Sequence, residues 1–343
     1  MIDLRSDTVT KPSAAMRQAM ANAEVGDDTF GEDPTITRLE ETVAGLLGME
    51  AALYVASGQL GNQLSLRIHG RGGDCVIAHE YSHIFEYETG APSAISGLAS
   101  RFIQTPDGTF TVADLKPMLR PENIHHSRNR ILSIENTHNR CGGVVWDLEQ
   151  YNSVCRYAHD TGMAVHLDGA RLWNACASNG TELNQWTQSA DSVSVCFSKG
   201  LGAPVGSAVC GTREFVEEAR FYRKMFGGQM RQAGIIAAGA LYAVEHNLKR
   251  LGEDHENANL LAEMISVLPG LSCIWPASNI LMVEVTSPLL LASQIVAELA
   301  KEGVLLFDLS EKHMRLVTHL DVTRNQCQEA AMAFERVMGR LAG

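Results

Sequence analysis

The sequence predicts an α/β protein: a large domain with a mostly parallel sheet between helices, followed by a small C-terminal α+β domain. Three observations carry this prediction. Short apolar runs alternate with helix-length segments between residues 35 and 210, the pattern changes to long helices after Gly234, and 343 residues suffice for about two domains. We place the large domain, with its N-terminal arm, over residues 1–250 and the small domain over residues 251–343.

The elements of the large domain follow from the apolar runs. Helical periodicity covers residues 35–47, 61–69 and 148–161. Strand and helix in alternation indicate parallel strands that are buried on both faces, so we expect helices on each side of one sheet. The predicted strands are residues 51–56, 74–78, 130–134, 162–167, 192–197 and 206–210.

The C-terminal elements are read in the same way. A helix over residues 253–268 is predicted to stop at Pro269-Gly270. After it we expect a strand over 279–285, a helix over 289–301, strands over 304–307 and 314–318, and a last helix over 323–341.

Charge and composition limit the partners. Asp and Glu number 40 against 28 Lys and Arg, which speaks against binding to nucleic acid or to an anionic membrane. The apolar stretch 235–244 is far shorter than the roughly 20 residues of a membrane-spanning helix. The eight cysteines form no C-x-x-C pair and the N-terminus has no apolar leader, so we expect reduced thiols and a cytoplasmic protein.

Two segments that follow predicted strands carry possible chemistry. Ser57-Gly58-Gln59 precedes a helix, so its free N–H groups could bind a phosphate, although an ordinary tight turn would look the same. Asp168 could ligate a metal, act as a base or pair with a protonated ring nitrogen. A metal is not expected, because His166 and Asp168 share one sheet face without a third ligand nearby in sequence.

A third segment adds a candidate nucleophile. Ser198-Lys199-Gly200 follows an apolar strand, and desolvation there would favour the neutral lysine amine, which attacks carbonyls; the alternative is a surface lysine in a loop. A phosphate site, a carboxylate and a lysine at neighbouring strand ends together indicate pyridoxal 5′-phosphate (PLP).

A family resemblance extends over nearly the whole chain. The sequence resembles the L-threonine aldolases, PLP enzymes of fold type I in the aspartate aminotransferase superfamily. The segments that carry the resemblance are residues 3–10 (DLRSDTVT), 25–28 (VGDD), 31–34 (GEDP), 135–139 (ENTHN), 166–171 (HLDGAR), 198–206 (SKGLGAPVG), 227–232 (GGQMRQ) and 315–319 (RLVTH).

The resemblance implies roles for individual residues. Lys199 would attach the cofactor covalently, and Asp168 would keep the pyridine nitrogen protonated. Arg171 would contact the phenolic oxygen of the cofactor or the substrate carboxylate. Ser6 and Arg315 would complete the carboxylate site, since a planar guanidinium offers paired donors.

Other implied roles involve histidines and a second subunit. His83 would stack on the cofactor ring opposite the lysine, and the catalytic base would be His83 or a water held by His83 and His125. One of His125 and His126 would lie near the substrate hydroxyl, and the Ile-His order favours His125. Arg231 would reach the cofactor phosphate or active site of a neighbouring subunit, within a homotetramer built from dimers that share active sites.

The implied activity is retro-aldol cleavage of threonine, allo-threonine or phenylserine to glycine and an aldehyde. The alternatives are β-elimination or dehydration on the same scaffold and a PLP-binding module without activity. Two departures from the family bear on substrate range: Phe30 stands where many relatives have tyrosine, and residues 140–144 read RCGGV instead of the Gly-Lys continuation common in bacterial members.

Overall fold

The computed structural model describes residues 1–341, and among them no helix is both long and apolar enough to cross a membrane. The strands are β1 (Ile2–Asp3), β2 (Ala51–Val55), β3 (Cys75–His79), β4 (Ala99–Ile103), β5 (Asn129–Glu135), β6 (Ala164–Gly169), β7 (Ser192–Cys196), β8 (Ser207–Gly211), β9 (Leu271–Ile274), β10 (Ile280–Val285), β11 (Val304–Leu305), β12 (Phe307–Asp308) and β13 (His313–Val317). The helices are α1 (Ala14–Ala21), α2 (Pro34–Leu47), α3 (Gly58–His69), α4 (His83–Glu86), α5 (Ala91–Ser96), α6 (Val112–Leu115), α7 (Leu148–Asp160), α8 (Leu172–Asn179), α9 (Leu183–Thr187), α10 (Arg213–Met225), α11 (Gly234–Asn247), α12 (Leu251–Ser266), α13 (Ala292–Lys301) and α14 (Arg324–Leu341).

The large sheet has seven strands in the order β2-β8-β7-β6-β5-β3-β4. Only β8 runs antiparallel to its neighbours, which confirms the predicted mostly parallel sheet. All six predicted strands are present. The edge strand β4 was not predicted, because Ser100 and Arg101 interrupt its apolar run; an edge strand is not buried on both faces as the central strands are.

Helices cover both faces of this sheet, as predicted. On β2, Ala52 and Tyr54 pack into one core with α2, α7 and α11, whereas Leu53 and Val55 pack on the opposite face against α3 and α10. This alternation follows from the two-residue period of a strand.

The C-terminal part has its own core. Strands β12-β13-β10-β9 form an antiparallel sheet, and side chains of α12, α13 and α14 pack in the same core. The strand predicted over residues 304–307 is divided into β11 and β12 at Leu306, and β9 was not predicted.

The N-terminal strand lies with this C-terminal part. β1 pairs in parallel with β11, and Ile2 and Leu4 are buried in the second core. The division of the chain near residue 250 stays a prediction. Residues 2–4, which it assigns to the large domain, pack with the C-terminal part instead.

Candidate active site

The predicted site residues gather where the parallel strands of the large sheet end. Asp168 is the penultimate residue of β6, paired in register with Glu135 of β5 and Ser194 of β7. Lys199 follows β7 after two residues, and Gly58 begins α3 two residues after β2. Carboxyl ends of parallel strands meet at one edge, which is where open α/β sheets bind ligands.

Asp168 is a buried, ionised carboxylate. Asn62 Nδ2 donates to its Oδ2 at 2.8 Å and the Ala170 N–H donates to its Oδ1 at 3.1 Å. Burial opposes ionisation, but the nearby charges of His83 and Lys199 outweigh it and lower the pKa of Asp168. A buried carboxylate of this kind is suited to pair with a protonated ring nitrogen.

A chain of buried polar groups holds Asn62 in place. Its Oδ1 accepts hydrogen bonds from Ser194 Oγ at 2.7 Å and from His166 Nε2 at 3.0 Å, and His166 Nδ1 lies 2.9 Å from Ser192 Oγ. Burial lowers the pKa of His166 to about 4, so the ring is neutral. In this structure His166 therefore positions the amide that holds Asp168.

His83 begins α4 beside this network. Its Nδ1 lies 2.8 Å from Oε1 of the fully buried Glu88, and its backbone N–H donates to Glu135 Oε2 at 2.8 Å. Burial acts to lower the pKa of His83, but the hydrogen bond to Glu88 and the charge of Asp168 outweigh it, so the pKa is raised. The Glu88 carboxylate thus favours a proton on Nδ1.

Arg171 makes a contact that the sequence analysis missed. Its Nε and Nη2 donate to the two carboxylate oxygens of the buried Asp7 at 2.8 and 2.6 Å, and its Nη1 donates to Asn139 Oδ1 at 3.2 Å. Burial opposes ionisation of Asp7, but the charge and hydrogen bonds of Arg171 hold its pKa well below the usual range. All three guanidinium nitrogens are therefore engaged within the protein, and Asp7, which binds two of them, fixes the position of Arg171.

Arg315 approaches the same amide from the C-terminal part. Its Nη1 donates to Asn139 Oδ1 at 3.0 Å and its Nη2 to the Arg5 carbonyl at 3.3 Å, whereas its buried Nε has no hydrogen-bond partner among residues 1–341. Burial and the neighbouring charge of Arg171 lower the pKa of Arg315. Arg171 and Arg315 thus both donate to the neutral oxygen of Asn139, and the Nε–H of Arg315 is unpaired within residues 1–341. Such a pair of guanidinium groups favours the binding of an anion such as a carboxylate.

The remaining predicted residues of the N-terminal arm and the lysine loop lie nearby. Ser6 Oγ accepts hydrogen bonds from the N–H and hydroxyl of Thr8. The Lys199 carbonyl accepts from Thr10 Oγ1 at 3.0 Å and from the Gly202 N–H at 2.8 Å. The Lys199 side chain is half-buried, as is Ser198, and Lys199 Nζ makes no hydrogen bond to residues 1–341. Its amine is thus available for bond formation.

The start of α3 offers the predicted phosphate donors. Ser57 caps the helix by accepting from the Leu60 N–H at 3.2 Å, while the N–H groups of Gly58 and Gln59 make no hydrogen bond within the described chain. A Cβ at position 58 would lie 2.7 Å from Cys196 Sγ, so only glycine lets the helix approach β7 this closely. Together with Asp168 and Lys199, these donors fit PLP: amides for the phosphate, a carboxylate for the ring nitrogen and an amine for the aldehyde.

Two predicted site residues are not brought to this cluster within one chain. His125 and His126 lie on an exposed loop that precedes β5. This loop is at the amino ends of the parallel strands, whereas Asp168 is at their carboxyl ends. Arg231 is 61% exposed and pairs with Asp27 at 2.9 Å. Within the described chain none of these three residues reaches the cluster, so the expected place of His125 near the substrate hydroxyl is not found there. The role expected for Arg231 involved a neighbouring subunit from the start.

The segment that departs from the family forms a tight turn against the C-terminal part. Gly142 and Gly143 have φ angles of 86° and 72°, and a Cβ on Gly142 would lie 2.8 Å from Met282 Cγ. Arg140 Nη2 donates to the Leu309 carbonyl at 3.1 Å. Both glycines are thus required by backbone conformation and by close packing, since a Cβ on Gly143 would lie 2.5 Å from Ser278 Oγ.

Comparisons with known proteins agree with this site. The family model for beta-eliminating lyases matches residues 3–288. The chain is 39% identical to the low specificity L-threonine aldolase of Escherichia coli K12, over 99% of this chain and 100% of that protein, and 38% identical to a probable low-specificity L-threonine aldolase 2 of Arabidopsis thaliana, over 98% and 97%.

Solved structures share the fold. The threonine aldolase of Leishmania major has a TM-score of 0.85 at 21% identity, covering 98% of this chain and 100% of that one, and a putative L-allo-threonine aldolase of Listeria monocytogenes has 0.82 at 23% identity, covering 98% and 96%. On the family model and the near full-length identity, the chain belongs to the beta-eliminating lyase family, in its group of low-specificity L-threonine aldolases.

Proposed function

We propose that this chain is a PLP-dependent aldolase. It cleaves the Cα–Cβ bond of L-threonine, L-allo-threonine and other β-hydroxy-α-amino acids such as phenylserine, and releases glycine and an aldehyde. One observation carries this proposal: Lys199, the buried Asp168 and His83 lie together at the carboxyl ends of the parallel strands. Beside them, the guanidinium groups of Arg171 and Arg315 both donate to Asn139. The names of the relatives reported above support the same activity.

Each residue has a task that its surroundings support. When bound, PLP supplies a sink for the electrons of the broken bond. Lys199 attaches the cofactor through its amine, and Asp168 keeps the ring nitrogen protonated. Arg315 binds the substrate carboxylate through its spare donor. His83 takes the proton of the β-hydroxyl at Nε2, because Glu88 engages Nδ1.

Further residues position the cofactor and substrate. The N–H groups of Gly58 and Gln59 and the hydroxyl of Ser198 bind the phosphate, as the free helix start of α3 supports. Ser6 adds a hydroxyl beside the substrate carboxylate. Arg171, held by Asp7 through Nε and Nη2, keeps Nη1 beside Asn139 at the site.

We also propose a cytoplasmic homotetramer, a dimer of dimers with shared active sites. The exposed positions of His125 and Arg231 support shared sites, since both side chains lie at the surface, where a neighbouring subunit can contact them. The eight cysteines are all free thiols, which supports a reducing compartment. Sedimentation equilibrium tests the assembly, and imaging of a tagged chain tests the compartment.

The test of the activity is product analysis with purified enzyme. The protein is expected to be yellow. Lys199→Ala is expected to lose the visible absorption of the lysine-bound cofactor and nearly all turnover. Glycine and an aldehyde from L-threonine support the aldolase, whereas a 2-oxo acid and ammonia would instead identify a β-eliminating enzyme, as the family name allows. A protein that stays colourless with excess PLP would overturn the proposal. His83→Phe with unchanged turnover across pH would remove His83 as the base.

A further inference from the structure

A second cluster of ligand-type side chains lies outside the residues used by the proposed function. His79 is the last residue of β3, and His138 and Cys141 lie in the turn after β5. The three potential ligand atoms, one from each side chain, all lie within 4.8 Å of one another. Both imidazoles are buried and Cys141 is half-buried. No residue of the cluster contacts the carboxylate or the lysine of the active site through a described hydrogen bond.

Each imidazole has one nitrogen that makes no short hydrogen bond within residues 1–341. His79 Nε2 lies 3.0 Å from the Thr105 carbonyl, an arrangement in which the ring N–H donates to the backbone, and its Nδ1 lone pair accepts only a long 3.3 Å contact from the Tyr81 N–H. Metal-binding histidines are usually held in this way. His138 Nδ1 has only a long 3.4 Å contact from the Cys141 N–H, and its buried Nε2 has no partner among residues 1–341.

Access to the cluster is through the cysteine. Cys141 lines a cavity of about 350 Å³ together with Tyr81 and Pro106 on one side and Met282 and Leu309 of the C-terminal part on the other. An ion can thus reach Cys141 from solvent without passing through the cofactor site.

We propose that His79, His138 and Cys141 form a site for a divalent transition-metal ion of the zinc type. Two imidazole nitrogens and a thiolate are ligands that select zinc over magnesium or calcium. Three protein ligands leave the fourth tetrahedral position for water. Binding forms a metal–sulfur bond and releases the thiol proton to solvent. The site is separate from the proposed PLP chemistry and does not depend on it.

The experiment measures zinc binding to the chelator-treated enzyme with its PLP retained. Elemental analysis after equilibrium dialysis gives the stoichiometry, and competition with a chelating dye gives the affinity. We expect one zinc per chain in the wild type, an affinity reduced about 100-fold or more in Cys141→Ser, and no change in the matched control Cys273→Ser, which replaces another half-buried cysteine. Cadmium should give a sulfur-to-metal absorption band in the wild type and in the control alone.

The half-buried Cys141 is replaced first, because His138→Gln could disturb the core. His79→Gln is the second variant, and circular dichroism and PLP content report whether each variant is folded. Less than one-tenth zinc per chain in the wild type would overturn the proposal. So would wild-type affinity in Cys141→Ser, since the metal would then lie elsewhere, for example at His83, Glu88 and Asp168.

Discussion

Replacing Asp7 by asparagine tests whether the buried pair with Arg171 supports the active site. The two side chains are bound through both carboxylate oxygens, and both are buried. Asp7→Asn leaves the guanidinium charge in the interior without its partner, which typically costs about 3–5 kcal/mol. Asp3→Asn is the matched control, because Asp3 also binds an arginine, Arg5, through both oxygens, but in a partly exposed pair worth about 0.2–1 kcal/mol.

The difference is large enough to measure. With 343 residues and roughly 2.1 cal/mol/K of unfolding entropy per residue, the total is about 0.7 kcal/mol/K, so Asp7→Asn should lower Tm by about 4–7 °C. Asp3→Asn should lower it by about 1 °C or less. The assay is a thermal melt at saturating PLP, followed by kcat and KM for L-threonine. Asp7→Asn should also raise KM, since it releases Arg171 from its fixed position.

The dependence on pH gives the pair a second signature. The pKa of Asp7 is lower in the folded protein than its ordinary value of 3.8. The stability that it contributes is therefore complete above that value and is lost as pH falls through the folded pKa. Asp7→Asn should flatten this acid limb of the stability curve. Equal Tm losses for Asp7→Asn and Asp3→Asn would refute the reasoning.

Three further substitutions test the site. Glu88→Gln removes the hydrogen bond that raises the pKa of His83, so the limb of the kcat/KM profile that depends on this ring should move to lower pH; a limb that does not move contradicts the assignment. Gly58→Ala should weaken PLP binding by roughly 1–3 kcal/mol through overlap with Cys196 Sγ, and Cys196→Ala should restore much of it, as measured by PLP titration. Arg315→Lys replaces a planar donor set by a point charge and should raise KM for L-threonine about 10-fold or more with a smaller change in kcat; an unchanged KM would exclude Arg315 from carboxylate binding.

The parts of the site that sequence could predict are those fixed by local pattern. Asp168 lies at the end of the buried strand β6, and Lys199 is the third residue after β7. The rule that ligands bind at the carboxyl ends of strands applies to both without any knowledge of distant residues. The glycine at position 58 is likewise read from a strand-to-helix turn. The edge strand β4 was not predicted, because its polar residues interrupt the apolar run.

The parts that sequence could not predict depend on pairs far apart in the chain. Asp7 and Arg171 are 164 positions apart, and Asn62 and Asp168 are 106 apart. Periodicity carries no information about such contacts. Asp7 stands in the motif of residues 3–10, but nothing in the sequence says that its side chain is buried.

The N-terminal segment explains why the C-terminal part can influence the site. β1 pairs with β11, and the Leu4 carbonyl accepts the Val317 N–H, so residues 2–4 follow the C-terminal sheet. A few residues later Asp7 binds Arg171, and Thr10 donates to the Lys199 carbonyl. A shift of the C-terminal sheet would therefore be transmitted through a short, hydrogen-bonded segment to Arg171 and to the lysine loop. The same segment holds both buried arginines, because the Arg5 carbonyl accepts from Arg315 and the Asp7 carboxylate accepts from Arg171. The proposed carboxylate site therefore depends on the position of residues 2–10.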